Sequence, residues 1–158
     1  VGGQGGVQHP AVGRMFLQPP VELDGEARRF DDVVGPSFAL LGWRGNPLAG
    51  QPASLAADLD RLGCTRLVGV RARPGPQEAA RALDGPAARM IEDSENALQL
   101  WFKRHQLDWV VLRPDRYVAA AGRFGDAGTQ LRAFLDLTLP PVEAASPSPA
   151  PRATAATA

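Results

Sequence analysis

FALLGWRGNP, Phe38 to Pro47, decides how this sequence folds. Phe38, Ala39, Leu40 and Leu41 form a short apolar run. Gly35-Pro36 precedes it, and Gly42 and Gly45-Asn46-Pro47 follow it. Turn residues close the run at both ends before a helix could propagate, so it predicts a buried central strand. In an α/β domain, ligands and chemistry gather in the loop beyond the carboxyl end of such a strand. Here that loop holds Trp43, Arg44, Gly45, Asn46 and Pro47. It offers no thiol, no Ser-His pair, no carboxylate and no phosphate-cradling glycine pattern.

The chain around this stretch has 158 residues, 44% of them apolar, enough for one domain with a proper core. Its formal net charge is zero, which removes the electrostatic case for nucleic acid or an anionic membrane as partner. Lys103 is the only lysine among mostly arginine cations, a bias that fits a GC-rich genome. No apolar run approaches the ~18 residues of a membrane helix, and no signal peptide opens the sequence. Cys64 stands alone, so no internal disulfide forms, and a reducing cytoplasm is the expected setting. The first residue is Val1 rather than Met, which predicts a processed chain or a piece of a longer one.

Upstream, Val1-Gly2-Gly3-Gln4-Gly5-Gly6 superficially resembles a phosphate loop but lacks the strand before it and the helix after it. Residues 1–20 read as an extended leader, with Met15, Phe16 and Leu17 as anchors onto a surface. Val21 to Phe30 alternates around Asp24-Gly25 and predicts a hairpin or a pair of edge strands. Asp31-Asp32 could hold a metal or share a proton. Strand neighbours point to opposite faces, however, and no further ligand lies nearby, so a turn and cap role is expected.

Downstream, Ser54 is placed to cap a helix whose Leu55, Leu59 and Leu62 share one face, with Gly63 as its C-terminal glycine. Thr65 to Val70 follows as a strand, giving a βαβ unit with parallel neighbours. Cys64 lies after a helix C-terminus, where the dipole opposes thiolate formation, and reads as a structural thiol. Arg71 to Arg89 is a Pro- and Gly-rich loop with one short helix over Gln77–Leu83. Met90 and Ile91 form a strand, and Asp93 or Ser94 opens a helix with Leu98, Trp101, Phe102 and His105 on its packing face. His105 is thus a helix-end residue rather than a metal ligand, and nothing in the sequence links it to His9. Trp109–Leu112 and Tyr117–Ala121 pair across an Arg113-Pro114-Asp115-Arg116 turn. A last helix spans Ala127 to Leu137. Residues 140–158 are Pro, Ala, Ser and Thr without periodicity, a composition too poor to fold.

Strand, helix, strand, loop, strand, helix, hairpin, helix is the order that resembles a thioredoxin-like α/β domain over residues 21–139, a central mixed sheet flanked by helices. Trp43-Arg44-Gly45-Asn46-Pro47 occupies the place of that fold's CxxC redox motif, and both sulfurs are absent. Thiol–disulfide exchange needs an attacking thiolate at that position, so the exchange is excluded there.

Narrower motifs carry a narrower resemblance. DDVVGPSFALLGW (Asp31–Trp43), Gly45-Asn46-Pro47-Leu48 and VVLRPDRYVAA (Val110–Ala120) are similar to the C-terminal region of flavin-dependent aromatic hydroxylases of the 3-(3-hydroxyphenyl)propionate hydroxylase type. Gly13 to Pro19 resembles the segment by which those enzymes enter that region. The resemblance implies a parent that uses FAD and NAD(P)H to hydroxylate a phenolic ring, with both cofactors bound in an upstream part. It implies no catalytic, cofactor-binding or metal residue in this chain. The implied partners are the upstream FAD-binding domain and, as an open alternative, a second copy in a homodimer. Phe16, Trp43, Arg44, Arg113, Asp115 and Arg116 are the candidate contact residues, although Arg113, Asp115 and Arg116 also read as a solvated hairpin tip. Two rivals remain: a redox protein working through Cys64, and a stand-alone thioredoxin-like module binding a ligand or partner.

Overall fold

The hairpin expected from Val21 to Phe30 forms strands β1 (Pro20–Leu23) and β2 (Glu26–Arg29), turned by Asp24 and Gly25, both at positive φ. The structure, a computed structural model, describes residues 9–139; the glycine-rich opening and the 140–158 tail lie outside the described residues. Asp31 and Asp32 depart from the expected turn. They sit in a short helix, α1 (Phe30–Val34), because Phe30, Val33 and Val34 recur at helical spacing and are all buried. Five residues are too few for that period to stand out in the sequence.

The apolar run becomes β3 (Ala39–Trp43), longer at its end than the sequence suggested, and leads into α2 (Ala53–Leu62) and β4 (Thr65–Arg71). Leu55 and Leu59 are buried, and Gly63 closes α2 in the left-handed conformation. Ser54 does not cap this helix: Pro52 occupies the cap position and Ser54 falls inside the first turn. α3 (Pro76–Ala82) starts with proline in its first turn, where a missing N–H costs nothing. β5 (Arg89–Asp93) and α4 (Ala97–His105) follow. Asp93 ends the strand instead of opening the helix. Its carboxylate nonetheless caps α4 from a distance, accepting from the amides of Leu98 (3.1 Å) and Gln99 (2.9 Å). β6 (Trp109–Leu112), β7 (Val118–Gly122) and α5 (Ala127–Thr138) complete the chain, with a 3-10 turn at Phe124–Asp126.

These strands make one seven-stranded mixed sheet in the order β2-β1-β5-β4-β3-β6-β7. β3, β4 and β5 are parallel, and β6 runs antiparallel to β3. β3 therefore lies where the parallel and antiparallel halves meet. Side-chain alternation sends Ala39, Leu41, Leu67, Val110 and Leu112 into a core with α1 and α4. Leu40, Trp109 and Val111 go to the opposite core with α2 and α5. Burial on both faces is why these strands read as continuous apolar runs.

The described part of the leader packs onto this domain. The Gly13 and Phe16 amides donate to the Val118 and Arg116 carbonyls, and Val118 donates back to Arg14. Phe16 is buried against Phe30 and Trp101, with ring centroids 5.6 and 4.8 Å away. His9 and His105 do meet, 96 residues apart. The His9 ring accepts the Ala11 amide on Nδ1 (3.0 Å), which leaves Nε2 to donate to the His105 carbonyl (2.8 Å). Burial, then the neighbouring charges of His9, Arg104 and Arg14, push the His105 pKa down.

Candidate functional site

Beyond β3 the chain makes a turn that its own residues close. Gly42 is required by a close approach: a Cβ there would lie 2.2 Å from the Gly45 carbonyl oxygen and 2.6 Å from Pro47 Cδ. Arg44 adopts φ +64°, a left-handed conformation that is costly for any residue with a Cβ and that clusters at functional positions. Its amide donates to the Gly69 carbonyl at 2.7 Å, fixing the turn to β4. Asn46, almost fully buried, accepts from the Leu48 amide (3.0 Å) and donates to the Pro86 carbonyl (2.8 Å), tying the loop to the connection before β5.

Trp43 lies half-buried, stacked on Phe102 with centroids 5.9 Å apart and planes 10° from parallel. Gly69 lets it settle, since a Cβ there would stand 3.2 Å from the ring. Beside it, Glu78 of α3 is the centre of an ion-pair cluster. Its side chain is only 4% exposed. One oxygen accepts Arg44 Nε and the Arg71 amide, each at 3.1 Å; the other accepts Arg71 Nε at 3.1 Å and Nη2 at 3.0 Å. Burial alone would favour the protonated acid, but the Arg71 amide and the two guanidinium groups outweigh it and hold the carboxyl below its ordinary range.

Asp108 forms the opposite wall, accepting from Arg123 Nε (3.1 Å) and the Phe124 amide (2.8 Å). Between the walls is an open cleft of about 980 Å³ floored by Trp43, Arg44 and Arg71 and edged by Arg81 and Phe124. It is basic and aromatic, without a nucleophile. Cys64 is elsewhere, at the far end of α2, where burial pushes its thiol up to about 12 against a weaker opposing pull from Arg66. Native Cys64 should therefore react with iodoacetamide at pH 8 roughly a thousandfold more slowly than in guanidinium, in line with the thiolate it forgoes. Equal rates in the two states, followed by mass spectrometry, would contradict this burial. Among the described residues no group of three or more His, Cys, Asp and Glu side chains is arranged to hold a metal ion.

Of the six contact residues named from the sequence, the structure brings Trp43 and Arg44 together at this cleft. Phe16 is turned into the domain's own core. Arg116 is also turned inward: its guanidinium donates to Asp31 and to the Gly35 and Pro114 carbonyls, and only 12% of its side chain is exposed. Arg113 and Asp115 pair with each other at 2.6 Å on the exposed hairpin tip, at the far end of β6 from Trp43. Glu78, Arg71 and Arg81 were missed. Their one trace in the sequence is that Glu78 and Asp84 are the only acids in the arginine-rich stretch from Arg71 to Arg89.

Residues 13–137 match the family described as HcaD C-terminal domain. Over 111 residues the chain is 45% identical to a 3-(3-hydroxy-phenyl)propionate/3-hydroxycinnamic acid hydroxylase of Burkholderia cenocepacia, covering 70% of this chain and 20% of that one. The chain thus spans about a fifth of the length of the curated relatives it matches. Among solved structures it resembles a thioredoxin-like protein from Bacteroides caccae (TM-score 0.55, 11% identity, 82% of this chain and 49% of that one). It also resembles peroxiredoxin Q of Xanthomonas campestris (TM-score 0.54, 17% identity, 77% and 97%). The fold is thioredoxin-like.

Proposed function

The chain belongs to the HcaD C-terminal domain family, and from that premise we propose that it is the non-catalytic C-terminal domain of an FAD- and NAD(P)H-dependent aromatic-ring monooxygenase. In this reading the parent is a cytoplasmic hydroxylase of the 3-(3-hydroxyphenyl)propionate type. Residues 21–139 are the domain proper, residues 1–20 lead in from the flavin-binding part, and that part is the principal partner. A homodimer is the second contact available to it.

The observation that carries the reading is the loop after β3. Where the fold would place a redox thiol, this chain places Trp43 and Arg44 on a braced, basic surface. Nor do the residues there suit a dinucleotide. The turn from β3 into α2 carries Gly42, Gly45 and Gly50, but the Gly42 position is filled by the loop's own carbonyl and proline ring. A pyrophosphate needs such glycines for backbone approach. The work left to this surface is contact, for which Trp and Arg are favoured anchors.

The test is Trp43→Ala in the full-length hydroxylase. A half-buried indole is worth about 2 kcal/mol of burial, so the melting temperature should fall or assembly loosen, while kcat of the folded enzyme stays near its original value. A collapse of hydroxylation with stability and assembly intact would overturn the reading, because the domain would then touch the chemistry.

A further inference from the structure

The geometry points to the cleft beside Trp43 as a docking site for an acidic polypeptide segment. This deepens the contact reading above and rests on it. Arg44 donates to Glu78 through Nε alone, and its two terminal nitrogens have no hydrogen-bond partner among the described residues. Arg71 likewise keeps Nη1 unengaged. Their side chains are 46% and 52% exposed, so the unengaged donors face the cleft rather than the core. Arg81 lies on α3 one turn beyond Glu78, and its side chain has no hydrogen bond or ion pair among the described residues. Across Trp43 a second hollow of about 550 Å³ is lined by Lys103 and Arg123.

These two hollows present five cations (Arg44, Arg71, Arg81, Lys103 and Arg123) against two carboxylates (Glu78 and Asp108), a local excess of three positive charges. The whole chain has none. Such an excess in a concave surface focuses its field on an anionic partner. The chemistry of the partner is indicated by what the site already holds. Arg71 holds the Glu78 carboxylate by its Nε–Nη2 edge and Arg44 touches it through Nε, and the unused terminal nitrogens of both offer planar donors to another carboxylate.

Size argues for a chain rather than a small acid, since an open cleft of about 980 Å³ with an adjoining hollow would leave a lone small carboxylate largely solvated. Nucleic acid is disfavoured because the Trp43 ring is already stacked on Phe102 and packed against Gly69, which leaves it poorly placed to stack a base.

The experiment uses the 158-residue chain and a fluorescent octaglutamate peptide, read by anisotropy at low salt. Binding should saturate, weaken about tenfold for Arg81→Gln, vanish for Arg81→Glu and fall away in concentrated salt. The Arg81 side chain is exposed and unbonded, so Arg81→Gln should melt with the parent chain and Arg81→Glu, which sets an acid in the last turn of α3, only slightly below it. No saturable binding, or binding indifferent to Arg81, would overturn the proposal. So would equal affinity for an octathymidylate, or displacement of the peptide by 3-phenylpropionate at comparable concentration; these would assign the cleft to nucleic acid or to a small aryl acid. If the peptide fails while Trp43→Ala still loosens the full-length protein, the contact reading stands and only the acidic partner falls.

Discussion

Trp109→Ala should lower the free energy of unfolding by about 3–5 kcal/mol, the range for truncating a fully packed large aromatic. Trp109 is completely buried on β6, in the core shared with α2 and α5. Gly122 on the neighbouring strand makes room for it: a Cβ there would lie 2.8 Å from the indole. The ring also holds a polar end, since Nε1 donates to the Arg123 carbonyl at 2.9 Å. Truncation therefore opens a cavity and also leaves a carbonyl without its donor. The effect should reach the cleft, because Asp108 and Phe124 line it and Asp108 accepts hydrogen bonds from both Arg123 and Phe124. Urea unfolding of Trp109→Ala and Trp109→Phe is the check. The phenyl variant keeps most of the packing and should lose well under half as much. A loss below about 1 kcal/mol for the alanine variant would mean the site is not packed as described.

The same residues show what was legible beforehand. Strands buried on both faces announce themselves as apolar runs between turn residues, and Phe38–Leu41 and Trp109–Leu112 are of that kind. The face of α4 was equally plain because Leu98, Trp101, Phe102 and His105 repeat at helical spacing. α1 was not, since it holds little more than one turn and its two acids resemble a turn signal. Capping was misjudged for a related reason. Asp93 sends its carboxylate to α4 from the end of a strand, a geometry that no fixed offset in the sequence encodes. The loop bearing Trp43 and Arg44 could be located from the strand that precedes it. Its bracing could not, because Glu78 is 34 residues from Arg44 and reaches it only once α3 lies beside β4. Charged partners at that distance carry no periodicity. The inward turn of Arg116 onto Asp31, 85 residues away, was hidden in the same way.

Gly42→Ala should be nearly as damaging as the loss of Trp109, and for a steric reason that separates it from other glycines here. The added Cβ would lie 2.2 Å from the Gly45 carbonyl oxygen and 2.6 Å from Pro47 Cδ. Neither obstacle can swing aside like the tip of a flexible side chain: one is backbone, the other a proline ring. Overpacking of this sort costs ~1–3 kcal/mol and more where nothing yields, so about 3 kcal/mol is expected. Gly50→Ala is the comparison. Gly50 has φ +76° and nothing within 4 Å of the Cβ position, so its penalty is conformational alone, about 1 kcal/mol. The consequence for the site follows from where the strain must go. If the loop moves away from β3, Arg44 is drawn off Glu78 and the Trp43–Phe102 stack is disturbed. Near-ultraviolet circular dichroism of the folded Gly42→Ala chain should then lose part of its tryptophan signal, and the octaglutamate affinity should fall with it. Melting no lower than Gly50→Ala, with the tryptophan signal intact, would mean that the loop has room the structure denies it. Arg44 would then owe its position to its bonds with Glu78 and Gly69 and not to the closed turn that presents it.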